Sequence, residues 1–168
     1  MSLLSQIKES EFLRAIPAGL VPRLEQIAEL RSFSPGSMIF VEGTPHGEFH
    51  LVASGRVRLE MRVPGRGRIP ILTAGSGDVL AWSALVGDGV MTSSALALEP
   101  VQTVAFPGAA LRKLCEQQHE IGFHVMQQLA SALSRRLLAT RLQLLDLFAD
   151  HVPLDLTSAV GRPGDPEC

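Results

Sequence analysis

The stretch from Ser32 to Pro107 constrains this chain most. It holds short runs in which apolar residues alternate with polar ones, each closed by a turn residue: SMIFVEG, EFHLVASG, RVRLEMRV, RIPILTAGSG, SALALEPV and QTVAFPG. In RVRLEMRV, Arg56, Arg58, Glu60 and Arg62 interleave with Val57, Leu59, Met61 and Val63, the period-two pattern of a strand buried on one face. Pro64-Gly65-Arg66-Gly67 supplies turn residues and predicts a hairpin into the next run. Many short strands at even spacing point to an antiparallel sandwich or jelly roll.

Helical patterns flank this region. Phe12, Leu13 and Ile16, then Leu20, Leu24, Ile27 and Leu30, fall at helical spacing around a break at Pro17–Gly19. After Pro107 the spacing predicts a short helix over Ala109–Glu116 and a long one over Glu120–Phe148. On the long helix Met126, Leu129, Leu133, Leu137, Leu144 and Phe148 form an apolar stripe, with Thr140 along the same seam. Leu138, Leu142 and Leu145 widen the stripe, and Arg135, Arg136 and Arg141 occupy other faces. At 1.5 Å per residue such a helix runs roughly 40 Å, more than a small β domain covers. The expectation is a homodimer through this helix, the alternative being a helix folded back on its own barrel. One domain is expected over 1–149. The tail 150–168, rich in Pro, Gly and Asp, reads as disordered or as the start of a linker.

Composition excludes several classes. Fifteen Lys and Arg against seventeen Asp and Glu give a net charge of -2, unlike the basic footprint of a nucleic-acid binder. No apolar run reaches the ~18–20 residues of a membrane span, and the charged N-terminus reads as no export signal. Two cysteines, Cys115 and Cys168, build neither a disulfide framework nor a zinc-finger spacing, so the expected compartment is the cytoplasm.

Leader helices, a turn-rich β roll and a long terminal helix together resemble the cyclic nucleotide-binding domain, in particular the sensor half of the catabolite activator and FNR-type bacterial transcription regulators. The residues that carry the likeness are FSPGSMIFVEG at 33–43, FHLVASGRVRL at 49–59, SGDVLAWSALV at 76–86 and RLLATRLQLLDL at 136–147. The resemblance implies an α+β fold, with an antiparallel jelly roll (a cupin-like double-stranded β-helix), N-terminal helices and a long C-terminal dimerisation helix. Within it, Gly36, Gly43, Gly55 and Gly77 fall at strand ends where a left-handed backbone is needed.

The resemblance also implies a ligand site, the phosphate-binding cassette. In nucleotide-binding members it runs Phe-Gly-Glu-x-Ala-Leu and then Arg-Ala-Ala-Thr; helix-end amides and the arginine hold the cyclic phosphate, and the glutamate takes the ribose hydroxyl. Here Gly77 and Asp78 lead into it. Leu80 then stands for the Phe, Ala81 for the Gly and Trp82 for the Glu; Ser83 fills the variable position, and Ala84 and Leu85 match. Met91 stands where the Arg belongs, followed by Thr92, Ser93 and Ser94. Both charged contacts are missing, and losing the partner of a buried anion costs roughly 3–5 kcal/mol. Cyclic AMP and cyclic GMP are therefore expected to bind weakly or not at all. Ser83, Thr92 and Ser93 remain as hydrogen-bond donors. Trp82 and Met91 either fill the pocket as core or shape it for a flatter ligand, such as a haem or an aromatic metabolite.

Other chemistry finds little support. The roll architecture is shared with cupin metalloenzymes, whose site resembles His-x-His with a nearby Glu. His46, Glu48 and His50 alternate here, but in an extended strand i and i+4 lie about 13 Å apart, too far for one metal ion. Only a turn at Pro45–Gly47 would bring them closer, so no metal is expected. His119, His124 and His151 are scattered, the N-terminal cysteine cluster of an iron–sulfur sensor is absent, and Cys115 reads as inert core. No phosphate loop, nucleophile elbow or carboxylate pair supports an enzyme. The residues after the long helix are acidic and offer no recognition helix, so DNA binding by this chain is not expected. Two readings stand side by side: a small-molecule sensor signalling through its dimer helix to a protein partner, and a scaffold domain with a vestigial pocket.

Overall fold

The computed structural model describes residues 10–149. The tail expected to be disordered lies outside them, as does the start of the leader. Two compact units meet between Ser134 and Arg135, so the boundary falls inside the last helix. The first unit opens with two short helices, α1 (Glu11–Arg14) and α2 (Val21–Glu25). The helical spacing does not extend to Leu30, which lies in a strand and is partly exposed.

Eight strands follow: β1 (Glu29–Phe33), β2 (Met38–Phe40), β3 (Glu48–Ser54), β4 (Val57–Val63), β5 (Gly67–Ala74), β6 (Val79–Leu80), β7 (Ser94–Ala97) and β8 (Val101–Pro107). They form two four-stranded antiparallel sheets, ordered β1-β8-β3-β6 and β2-β7-β4-β5, the jelly roll expected from the alternation. The predicted hairpin joins β4 to β5 in register from Val57↔Ala74 to Val63↔Gly67. A bulge interrupts it between Leu59 and Glu60, and there the expected alternation fails. Glu60 is buried and paired with Arg58 at 2.7 Å, whereas Met61 is exposed.

The first sheet separates two cores because successive side chains of a strand point to opposite faces. Phe49 and Leu51 of β3 join Val104 and Phe106 of β8 against the helices, with Phe12, Leu24, Leu111, Ile121, Val125 and Leu129. Val52 of the same strand belongs to the other cluster, inside the roll, with Phe40, Val57, Leu59, Leu80, Ala81, Met91, Ala95 and Val101.

Gly36, Gly43, Gly55 and Gly77 all have positive φ, as their strand-end positions require. At Gly55 an added Cβ would lie 2.4 Å from the Pro100 carbonyl oxygen, so space forbids a side chain there as well.

The chain closes with α3 (Gly108–Gln117) and α4 (His119–Ala149). Ile121, Val125 and Leu129 recur every fourth residue and face the domain's own core. This corrects one expectation: Leu129 is buried within its own domain, and Met126 and Leu133 are half-buried against the same cluster. The outward apolar residues of that unit include Phe123, 63% exposed. In the second unit Leu137, Leu138, Leu142, Leu144, Leu145 and Leu147 are each more than half exposed. The Thr140 hydroxyl bonds back to the Arg136 and Leu137 carbonyls of its own helix, at 3.1 and 2.9 Å.

Candidate functional site

The segment aligned with the cassette forms a tight turn after β6. Trp82–Ala84 make one 3-10 turn, closed by bonds from the Leu85 and Val86 amides to the Trp82 carbonyl, both 3.0 Å. Ala81 enters it at φ 54°, ψ 41°, the sole non-glycine residue with positive φ among the described residues. A left-handed conformation costs an L-residue roughly 1–2 kcal/mol, and it falls where the family pattern carries glycine.

Two neighbours hold this turn. Gly108 at the start of α3 sits so close that an added Cβ would lie 2.1 Å from the Ala84 carbonyl oxygen, and its amide bonds the Gly47 carbonyl at 2.8 Å. The Arg112 guanidinium donates to the Ala84 and Leu85 carbonyls at 3.2–3.3 Å. Arg112 was not apparent from the sequence as a cassette residue, since its reach depends on how α3 docks.

The expected site residues divide into separate environments. Leu80, Ala81 and Met91 are buried together inside the roll. Ser83 and Ala84 are buried in the turn itself. Trp82 is half-buried against the helix-side core, so of the two readings left open for it, the one in which it fills the pocket as core does not hold. Its neighbour Ala81 is directed inward, and the reversal of the 3-10 turn carries Trp82 to the other side. Asp78 caps its own loop by accepting the Gly75 amide at 2.8 Å, and the Gly77 amide bonds Val52 at 2.8 Å; both positions shape the turn before β6. Thr92 is exposed, Ser93 half-buried, and the Ser94 hydroxyl accepts the Glu42 amide at 2.9 Å. Of two cavities among the described residues, one of about 820 Å³ is lined by Cys115, Phe123 and Met126 of α3 and α4, and one of about 760 Å³ by Val41, Arg62, Arg68 and Ser94 beside the β4–β5 hairpin. Ser83, Thr92 and Ser93 line neither.

Of the strand's guanidinium groups, Arg56 pairs with Glu99 at 3.0 Å and Arg58 with Glu60, while Arg62 lines the cavity beside Ser94. A cluster of ionisable groups comes together from β1, β3 and the loop before β3. His50 is fully buried and has its Nδ1 2.9 Å from Thr103 Oγ1. Its Nε2 lies 2.9 Å from His46 Nε2, with the two rings stacked at 5.2 Å. Phe33 and Phe40 pack on these rings. Glu48 stands 3.8 Å from His50 Nε2 and is gripped by the Arg31 guanidinium, which also reaches Glu29 at 2.7 Å.

The expectation that His46 and His50 stand too far apart for one ion is therefore wrong. His46 precedes β3, and the turn at Pro45–Gly47 folds it back: its amide bonds the Gly89 carbonyl at 3.0 Å, and Pro45 bridges Val90. The 13 Å spacing applied to a continuous strand, and the strand begins only at Glu48.

Burial, reinforced by the neighbouring His46, pushes the His50 imidazole down to about 4. His46 is lowered by burial, against the pull of Glu48. Arg31 holds the Glu48 carboxyl below its usual range through their hydrogen bonds, and is itself raised by them. Burial raises the Cys115 thiol, helped by Glu116, in keeping with an inert cysteine.

The sequence profile of the cyclic nucleotide-binding domain matches residues 30–118. A curated relative, the CRP-like cAMP-activated global transcriptional regulator of Mycobacterium tuberculosis, is 31% identical over 138 residues, which are 82% of this chain and 59% of the relative. The chain thus spans about three-fifths of that relative's length. The catabolite activator protein of Thermus thermophilus superposes with a TM-score of 0.67 at 26% identity, over 83% of this chain and 63% of that one. A cyclic nucleotide-binding domain from Methylobacillus flagellatus superposes with a TM-score of 0.74 over 92% of this chain and 85% of that one, and at 17% identity this likeness speaks for the fold alone. No described helix is long and apolar enough to cross a membrane.

Proposed function

Because the chain belongs to the cyclic nucleotide-binding domain family, we propose that it is a non-enzymatic sensor module whose cassette does not take cyclic AMP or cyclic GMP in the family's usual way. One observation carries this reading. Met91, which the resemblance aligns with the family's arginine, is 3% exposed and packed inside the roll with Leu80 and Ala81. A thioether cannot neutralise a phosphate, and Trp82, turned to the helix side, offers the ribose no acceptor. The ligand proposed is apolar or weakly polar, a haem or aromatic metabolite among them.

Signalling would pass through α4 as a homodimer seam. At 100° per residue, Phe123, Met126, Ala130 and Leu133 of the first unit fall within an arc of about 80°, centred roughly 120° from the Ile121–Val125–Leu129 face, and in the second unit Leu137 and Leu144 share a heptad spacing and are exposed. That is a second apolar face, as a helix needs when it packs both on its own domain and on a twin. The output would be a protein partner in the cytoplasm, and this chain would not bind DNA itself. The scaffold reading draws on the same burial, since Met91 and Leu80 fill space a ligand would need.

Native mass spectrometry of the gently purified protein separates the two readings. A stoichiometric small molecule supports the sensor, and bare polypeptide after expression in its source organism supports the scaffold.

A further inference from the structure

We propose that His46, Glu48 and His50 form a binding site for one divalent first-row transition ion, with His50 held in place by Thr103 and Glu48 by Arg31. Among the described residues, this is the one group of three or more His, Cys, Asp or Glu side chains whose donor atoms converge, all within 4.8 Å of one another.

Two of the donor separations already suit an ion. Two donors bound at about 2.05 Å and at right angles stand about 2.9 Å apart, and about 3.3 Å apart at the tetrahedral angle. The two Nε2 atoms are 2.9 Å apart already. The carboxylate oxygen, at 3.8 Å from His50 Nε2, is too far to accept a hydrogen bond from that ring. It lies within the range that two ligands of one octahedral ion span, about 2.9 Å when adjacent to about 4.1 Å when opposite. A His–His hydrogen bond explains the first distance, and the Arg31 pairing holds the carboxylate without explaining its place beside the two rings. A shared ion uses all three groups.

The surroundings orient the donors. With the Nδ1 proton of His50 donated to Thr103, its Nε2 presents a lone pair to His46. His46 then donates its own Nε2 proton in the ion-free state. On binding, that proton leaves Nε2 and one is taken up at Nδ1, so both rings stay neutral and no net proton is released. Arg31 fixes the carboxylate from the other side: its Nε lies 3.1 Å from Oε1 and 3.2 Å from Oε2, and its Nη2 is directed to Oε1. The Oε2 atom, the one nearer His50, keeps a lone pair for a metal. Phe33 and Phe40 flank the rings and limit their motion. Two imidazoles and one carboxylate select zinc, cobalt, nickel or ferrous iron over magnesium or calcium, which require mostly oxygen donors. Three protein ligands leave coordination positions open to water or a small anion. This site stands independently of what the cassette binds.

The test uses the full chain, stripped with a chelator and dialysed. Co²⁺ is titrated by visible absorption and Zn²⁺ by calorimetry, with elemental analysis for stoichiometry. The expected result is one ion per chain, visible cobalt ligand-field bands, and affinity at least tenfold weaker in both His46→Ala and Glu48→Gln. His46 is half-buried and its truncation spares the core, so the answer does not depend on His50→Ala folding. Thr103→Val should weaken binding by about tenfold through the loss of ring orientation. His119→Ala and His124→Ala should bind as the parent does. Absence of saturable binding by either ion, unchanged affinity in His46→Ala and Glu48→Gln, or loss of binding in the His119 and His124 variants would each overturn the assignment.

Discussion

Acidification should unfold this protein through His50. The imidazole is fully buried, with a pKa near 4 in the folded chain against 6.5 when unfolded. Between those values the unfolded state binds the extra proton. The His50 contribution is therefore complete above pH 6.5, is lost as the pH falls through the window, and stays flat below 4. The full span of 2.5 pH units is worth about 3 kcal/mol, and roughly 2 kcal/mol is already gone by pH 5. His46, also lowered by burial, acts in the same sense. Glu48, lowered by Arg31, adds stability that is lost only as the pH falls below the usual carboxylate range. Trp82, the single tryptophan, packs against the helix-side core and reports unfolding by fluorescence. Urea titrations at pH 7.5, 6.5, 5.5 and 5.0, in chelator to keep ions from the imidazoles, give the free energy at each point. The parent should lose about 2 kcal/mol across the series, and His50→Gln, starting lower, should lose less than half as much. An equal slope in the two proteins would refute the assignment of acid sensitivity to His50.

Further outcomes follow from the packing. Gly108→Ala places a methyl 2.1 Å from the Ala84 carbonyl oxygen and should destabilise by about 2–3 kcal/mol or prevent folding, read from urea midpoints. Leu137→Glu with Leu144→Glu, both positions more than half exposed, should convert a dimer to monomers in sedimentation velocity and leave each domain folded; a parent already monomeric at high concentration contradicts the seam. Duplex DNA should show no sequence-dependent retardation in gel shifts at physiological salt, where loose phosphate contacts are suppressed.

Much of the fold was legible because period two and glycine turns are local. The strands at Glu48–Ser54 and Val57–Val63, and the positive φ at Gly36, Gly43, Gly55 and Gly77, depend on a few neighbouring residues only. At the segment aligned with the cassette, the structure adds the left-handed backbone of Ala81, which an alanine does not announce in a sequence. What sequence spacing misses is direction after a turn. Trp82 goes to the helices, although its neighbour Ala81 faces the roll, because a 3-10 turn intervenes. His46 meets His50 because the chain reverses at Pro45–Gly47, which a strand repeat cannot foresee. On α4 the stripe looked continuous, yet Leu129 turns inward with Ile121 and Val125. A helix with two apolar faces offers a sequence no means of saying which one its own domain takes. Arg31 and Arg112, the guanidinium groups nearest the imidazoles and the cassette, reach them from elements distant in the chain.

A sensor whose cassette has lost its affinity for cyclic nucleotides should not respond to either of them. Calorimetric titration of cyclic AMP and cyclic GMP into the unmodified protein tests it most directly. The buried Met91 predicts no saturable heat at concentrations below roughly millimolar. Binding in the micromolar range, with one nucleotide per chain, would contradict it.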